Sequence, residues 1–137
     1  VEQPVGNGIR VALHGNFSVR HHVAVPADGG EDYGQTVGIY DGEKGAGRDP
    51  YEWFLSGSES LLTVENPHAA TDRELVIFRD SFASSLAPLL VEQYAKITLV
   101  DIRYLSSTTL GKYLTFTDQD VLFLYSVPVL NHSDTLK

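Results

Sequence analysis

Residues 75–88 read Leu75-Val76-Ile77-Phe78-Arg79-Asp80-Ser81-Phe82-Ala83-Ser84-Ser85-Leu86-Ala87-Pro88. Four apolar residues stop at a polar triplet, and a helix-like spacing of apolar residues takes over. Short apolar runs recur at residues 97–100 and 121–125, as expected of strands buried on both faces. Between the first two runs, Leu86, Leu89, Leu90 and Tyr94 fall on one face of a helix over residues 86–94. Pro88 is tolerated there if Ser85 is the cap, because Pro88 then falls in the first turn. Residues 81–84 then form a tight elbow. Residues 106–113 supply a second crossover. Strand, helix, strand, helix, strand implies right-handed crossovers and a parallel sheet. The core expected from these runs is Val76, Phe78, Leu86, Leu90, Ile97, Leu99, Leu122 and Leu124.

The first half of the chain reads as β-rich. Residues 9–13, 17–25, 36–40 and 61–64 carry β-branched, aromatic or aliphatic residues between Gly, Asn and Pro punctuation. Asp49 and Pro50 suit the cap and first position of a short helix. The expectation is one α/β domain over residues 1–137. Its β-rich part is 1–66 and its parallel-sheet βαβαβ part is 67–137.

Composition narrows the function. The 137 residues are 42% hydrophobic and 20% charged, as in an ordinary globular domain. The net charge of −8 argues against a nucleic-acid partner, which needs clustered Lys and Arg. No apolar stretch approaches the ~20 residues of a membrane span, so no membrane contact is expected within this chain. No signal peptide is visible. There is no Cys, hence no disulfide framework or thiolate zinc site. There is also no Met, so the chain is read as a processed product or a piece of something longer.

Ser81 has two readings at the lip of a buried strand. Asp and Ser there are common cap and turn formers. Ligands of open parallel sheets also bind outside the carboxyl ends of the strands, where a Ser can project into the crevice. The amides of the elbow and following helix would then face a developing oxyanion. The G-x-S-x-G elbow of α/β-hydrolases is absent. As for a base, His14 reads as a strand end, His68 as a turn residue and His132 as part of a polar tail. Arg103 either clamps an anionic group or pairs with Asp101 or Asp80. The acidic loop at residues 28–32 lacks the ligand spacing of a calcium site, and residues 42–47 are Gly-rich without a P-loop Lys.

The stretch from Leu75 to Ser85, together with Val100-Asp101-Ile102-Arg103-Tyr104-Leu105, resembles the C-terminal half of the bacterial DHHW family. That family is similar to the SGNH-hydrolase-like proteins that O-acetylate exported polysaccharides such as alginate. Asp49-Pro50-Tyr51-Glu52-Trp53-Phe54-Leu55-Ser56-Gly57 resembles the segment before its nucleophile strand, and Asp120-Val121-Leu122-Phe123-Leu124-Tyr125 its closing strand. The resemblance implies Ser81 as nucleophile, Asp80 as its motif neighbour and the Ser81 amide in the oxyanion hole. Arg79, Arg103 and Gly57 are the candidate substrate-binding residues, and no cofactor and no metal is expected.

Three departures accompany it. Arg79 stands where an SGNH block has Gly and the DHHW pattern has Lys. Ser58 follows Gly57 where an Asn is expected. Arg20-His21-His22-Val23 mimics the family's Asp-His-His-Trp motif without its Asp or Trp. The expectation is an extracytoplasmic esterase or O-acyltransferase acting on an exported or cell-surface carbohydrate, with its base supplied by a segment upstream in the parent. The alternative is a non-catalytic carbohydrate-binding or structural module of a surface-polysaccharide system.

Overall fold

The computed structural model describes residues 18–22, 35–37, 39–55 and 59–136. The strand expected at 9–13, His14, the acidic loop at 28–32 and Gly57 lie outside these residues. Among the described residues six strands form one sheet: β1 (Ser18–His22), β2 (Gln35–Val37), β3 (Leu61–Glu65), β4 (Glu74–Arg79), β5 (Lys96–Val100) and β6 (Asp120–Leu124). Their order is β2-β1-β3-β5-β4-β6. β5, β4 and β6 run parallel, while β1, β2 and β3 pair antiparallel. The expected α/β architecture is therefore present, with the parallel βαβαβ half joined edge-on to a β-rich half.

Two helices connect the parallel strands on opposite faces. Helix α2 (Ala83–Leu90) follows a short α1 (Gly42–Gly45) in the chain and links β4 to β5. It covers a cluster containing Leu62, Leu75, Ile77, Ile97, Leu99, Ala83, Ala87 and Val91. Helix α3 (Ser107–Leu110) lies on the way from β5 to β6, a connection that passes β4. It contributes Leu110 to the second cluster, with Leu61, Val76, Phe78, Val100, Leu105 and Leu114. Strand alternation explains the split, since successive residues point to opposite faces. Seven of the eight core residues expected from sequence belong to these two layers, and Leu86 to neither. Val76, Phe78, Ile97 and Leu99 are buried as expected, whereas Leu86, Leu90, Leu122 and Leu124 are half-buried.

Helix α2 begins earlier than expected and turns a different face to the sheet. Its N-cap is Phe82, not Ser85. It opens with three-residue turns, from Ala83 N to Asp80 O, Ser84 N to Ser81 O and Ser85 N to Phe82 O. Pro88 therefore sits inside the helix, its missing N–H leaving the Ser84 carbonyl without its usual partner four residues on. The helix gives way to a 3₁₀ turn at Val91–Gln93. Ala83, Ser84, Ala87 and Pro88 face inward, while Leu89 is 54% exposed. Small side chains let the helix backbone lie close to β4, which outweighs the leucine periodicity.

Strand β6 departs from the fully buried strand that its apolar run suggested. It is the edge of the sheet, and its burial alternates. Val121 and Phe123 are exposed, and Phe123 stacks on Phe78 with centroids 4.9 Å apart. Near the other part of the chain, Asp49 caps the 3₁₀ turn Pro50–Trp53 through the amide of Tyr51, as its sequence signature predicts. A fourth helix, α4 (Val127–Asn131), follows β6.

Candidate active site

The site is built where β4 ends. Arg79 is its last residue, Ser81 and Phe82 turn the chain, and α2 starts at Ala83. The turn is fixed by three side chains, two from the elbow itself and one from a distant part of the chain. Asp80 is 2% exposed. One of its carboxylate oxygens accepts the Phe82 amide at 3.0 Å, and the other accepts the Ser126 amide at 2.7 Å. Burial pushes the Asp80 carboxyl upward. Hydrogen bonds from Ser126 and Phe82 and the nearby Arg103 charge outweigh that, so its pKa lies below the ordinary value. Asp80 is therefore an ionised latch between the elbow and the β6–α4 turn.

Arg79 lies beneath the elbow with no exposed surface. It donates to Ser84 Oγ at 3.1 Å, to the Glu59 carbonyl at 3.0 Å and more weakly to the Asp80 carbonyl at 3.4 Å. Desolvation lowers its pKa, and Asp101 is the largest influence opposing this. The expectation that Arg79 faces substrate is corrected. Alternation along β4 puts Arg79 on the same side as Ile77, under α2, and its charge is used inside the protein. Tyr51 supplies the third contact. Its hydroxyl donates to the Phe82 carbonyl at 2.9 Å, lies 3.0 Å from Ser85 Oγ and accepts from the Ser85 amide at 3.3 Å.

Ser81 itself is left uncommitted. It is only partly buried, and among the described residues neither its amide nor its hydroxyl is engaged in a hydrogen bond. Both groups stand at the carboxyl end of a central parallel strand. That is the placement the apolar run before Ser81 predicts. A free hydroxyl beside a free amide is what attack on a carbonyl and stabilisation of the resulting oxyanion require.

Arg103 lies just past β5 and is held by Asp101. Its Nε and Nη2 donate to the two carboxylate oxygens at 2.9 and 2.6 Å, and its backbone amide adds a third bond at 3.1 Å. The Asp101 bonds raise its pKa against the effect of burial. Pairing with Asp101 is thus the alternative realised for Arg103. Its guanidinium also lies over the Tyr104 ring, 5.3 Å from the centroid. Tyr125, next to this pair, has a buried hydroxyl with no hydrogen-bond partner among the described residues. Burial raises its pKa, and Asp101 adds to that.

His68, His21 and His22 are not brought to Ser81. His68 lies in the turn after β3, where its amide donates to Asn66 Oδ1. The register Glu65↔Lys96 and Glu74↔Lys96 places that turn at the opposite end of the parallel strands from the elbow. His21 and His22 pair with Leu62 and Leu61, so their backbones lie three strand spacings from β4, roughly 14 Å. A base must approach its proton within about 3 Å. Tyr51 and Ser126 are the contacts that sequence reasoning missed, because nothing local marks a partner so distant in the chain.

This arrangement is an α/β fold with a parallel βαβαβ unit and a serine elbow after its first strand. Solved structures agree. Bacillus cereus PatB1 superposes with a TM-score of 0.60 at 20% identity, over 86% of this chain and 37% of PatB1. PatB1 with a sulfonyl adduct gives the same score and identity, with 39% of that chain covered. A DHHW family protein from Eubacterium siraeum superposes with a TM-score of 0.50 at 20% identity, over 80% of this chain and 34% of that one. The fold resemblance read from the sequence is therefore present in three dimensions. The chain spans less than two-fifths of the length of each of these structures. No family model and no curated protein matches the sequence.

Proposed function

We propose that this chain is the nucleophile-bearing part of an esterase or O-acyltransferase that acts on an exported or cell-surface carbohydrate. The observation that carries this reading is Ser81. Its hydroxyl and amide are both unengaged by described residues, on an elbow braced by Asp80, Arg79 and Tyr51. In the proposed chemistry Ser81 Oγ attacks the acyl carbonyl and its proton passes to a base. The alkoxide of the donor then leaves with that proton, and the acyl group remains as a Ser81 ester. Water, or a sugar hydroxyl, attacks that ester and restores Ser81. The Ser81 amide carries the oxyanion in both steps. The likeness to PatB1, which has been solved with a sulfonyl adduct, supports the reading, because sulfonyl groups couple to activated nucleophiles.

His21, His22 and His68 stand away from Ser81, and in this reading the base comes from a segment upstream in the parent. The extracytoplasmic location belongs to the same proposal. Among the described residues no helix is long and apolar enough to cross a membrane. One observation favours a second reading. Ser81 Oγ makes no hydrogen bond to a described histidine, which also suits a non-catalytic module of a surface-polysaccharide system.

A paired rate measurement separates them. This chain alone should hydrolyse p-nitrophenyl acetate barely above background, and Ser81→Ala should leave that rate unchanged. General-base assistance alone is worth about 10²–10⁴ in rate, so a parent form carrying an upstream Asp-His-His-Trp should be active, and Ser81→Ala should abolish its turnover. Turnover that survives Ser81→Ala in that parent ends the nucleophile reading.

A further inference from the structure

Beside the elbow, an open cavity of about 430 Å³ is lined by Arg103, Tyr104, Pro128, Val129, His132 and Thr135. Its two walls are the segment following β5 and helix α4 with the turn after it. Both leave the sheet at the carboxyl ends of parallel strands, the end that carries Ser81. The Ser126 amide bond to Asp80 ties the α4 wall directly to the elbow. Its volume is at the lower end of the ~300–1,000 Å³ range of small-ligand pockets.

We infer that this cavity is a subsite for a neutral sugar ring. The inference rests on the acyl-transfer reading of Ser81 and deepens it by naming what is held next to the nucleophile. Three features of the lining specify the ligand. The first is the Tyr104 ring, which is 69% exposed and offers a flat apolar surface to the apolar face of a pyranose. The Arg103 guanidinium over that ring limits how it can turn.

The second feature is a donor and an acceptor at fixed positions. Asp101 holds Arg103 through Nε and Nη2, so the fork is oriented before any ligand arrives. His132 Nδ1 lies 2.9 Å from the Pro128 carbonyl. A carbonyl only accepts, so Nδ1 carries the hydrogen and Nε2 of the neutral ring is an acceptor. A group that both donates and accepts satisfies this pair. A sugar hydroxyl does both.

The third feature is charge. Arg103 is neutralised by Asp101, Asp80 lies close enough for its charge to act on Arg103, and the chain carries −8 overall. Among the described lining residues, a uronate carboxylate or a phosphate would meet no unpaired Arg or Lys. A neutral hexose meets no such cost.

The test uses the chain as it exists. Isotope-labelled protein is titrated with neutral tetrasaccharides of glucose, mannose or N-acetylhexosamine, and separately with a tetrauronate. The Tyr104 and His132 ring signals should shift with at least one neutral glycan and less with the uronate at equal concentration. Tyr104→Ala should weaken that binding roughly tenfold, about 1.4 kcal/mol, and His132→Phe should weaken it also. Both side chains are exposed, so a retained spectrum elsewhere confirms that either variant is folded. Ser81→Ala should bind as the wild type does. Absence of shifts at Tyr104 and His132 with every neutral glycan overturns the inference, as does tighter binding of the uronate. Ser81-independent turnover in the parent would sink the nucleophile reading and leave this subsite standing, so the two failures are distinguishable.

Discussion

Replacing Asp80 by Asn tests whether the elbow is held by charge. The side chain keeps its shape but loses one acceptor, and its new amide must face either Phe82 N–H or Ser126 N–H. The two bonds of the wild type, at 3.0 and 2.7 Å, are charge-assisted and worth about 1.5–3 kcal/mol each. Asn retains one neutral bond worth about 0.5–1.5 kcal/mol and leaves a buried donor unsatisfied at a cost of about 1–3 kcal/mol. Relaxation of the turn offsets part of this, so the expected loss is roughly 2–4 kcal/mol. That is a large share of a typical stability of about 5–15 kcal/mol. Urea titration at neutral pH, followed by tryptophan fluorescence, measures it.

The pH dependence gives the same test a second arm. The folded pKa of Asp80 lies below its ordinary value, and an unfolded Asp titrates near about 3.9. Between those two values the unfolded chain binds more protons than the folded one, so stability rises with pH through that window. It is fully present above the unfolded value and lost as pH falls through the folded one. Asp80→Asn has no such contribution, so the gap between wild type and variant should narrow as the solution is acidified below about pH 4. A gap under about 0.5 kcal/mol at neutral pH would refute the latch. So would a gap that stays constant on acidification.

Packing gives a further expectation. Leu99 is fully buried and Leu89 is 54% exposed, so Leu99→Ala should cost about 2–5 kcal/mol, while Leu89→Ala stays within about ±0.5 kcal/mol. Equal losses in denaturant titration would show that the face of α2 is misassigned. Tyr51→Phe removes the hydroxyl that joins Phe82 and Ser85. It should cost about 1–3 kcal/mol and speed amide exchange at Phe82 and Ser85, whereas exchange confined to residues around Tyr51 would contradict the brace.

Much of the parallel half was legible because its signals are local. The run Leu75–Phe78 is buried on both faces, and any apolar tetrapeptide ended by Asp-Ser reads as a strand followed by a turn. Asp49-Pro50 carries its own cap chemistry and was equally plain. The face of α2 was not. Leucine spacing marks the most apolar stripe, but a helix lying close against a sheet selects for the smallest one, here Ala83, Ala87 and Pro88. Strand β6 misled for a related reason. Val121 and Phe123 look like core residues, and only the strand order reveals that they sit at an edge.

The site divides along the same line. Ser81 was located by the end of its strand, a property of neighbouring residues. Arg79 was one step from being read correctly, since alternation with Ile77 assigns it to the covered side of β4. The two clamps on the elbow, Tyr51 and Ser126, carry no sequence mark at all. Each is an ordinary residue made specific by the fold.

Those clamps also bear on when the elbow acquires its shape. Tyr51 reaches Phe82 across 31 positions of the chain, and Ser126 reaches Asp80 across 46. Closing such loops costs entropy before any bond repays it, and non-local contacts of this kind form late. Strand β4 and the first turns of α2 can form from neighbouring residues, yet the Phe82 amide is aimed only once β6 has paired beside β4 and carried Ser126 into place. During synthesis the serine therefore leaves the ribosome well before the residue that orients its turn. A chain cut short after β5 should contain Ser81 and its helix and still lack an ordered elbow.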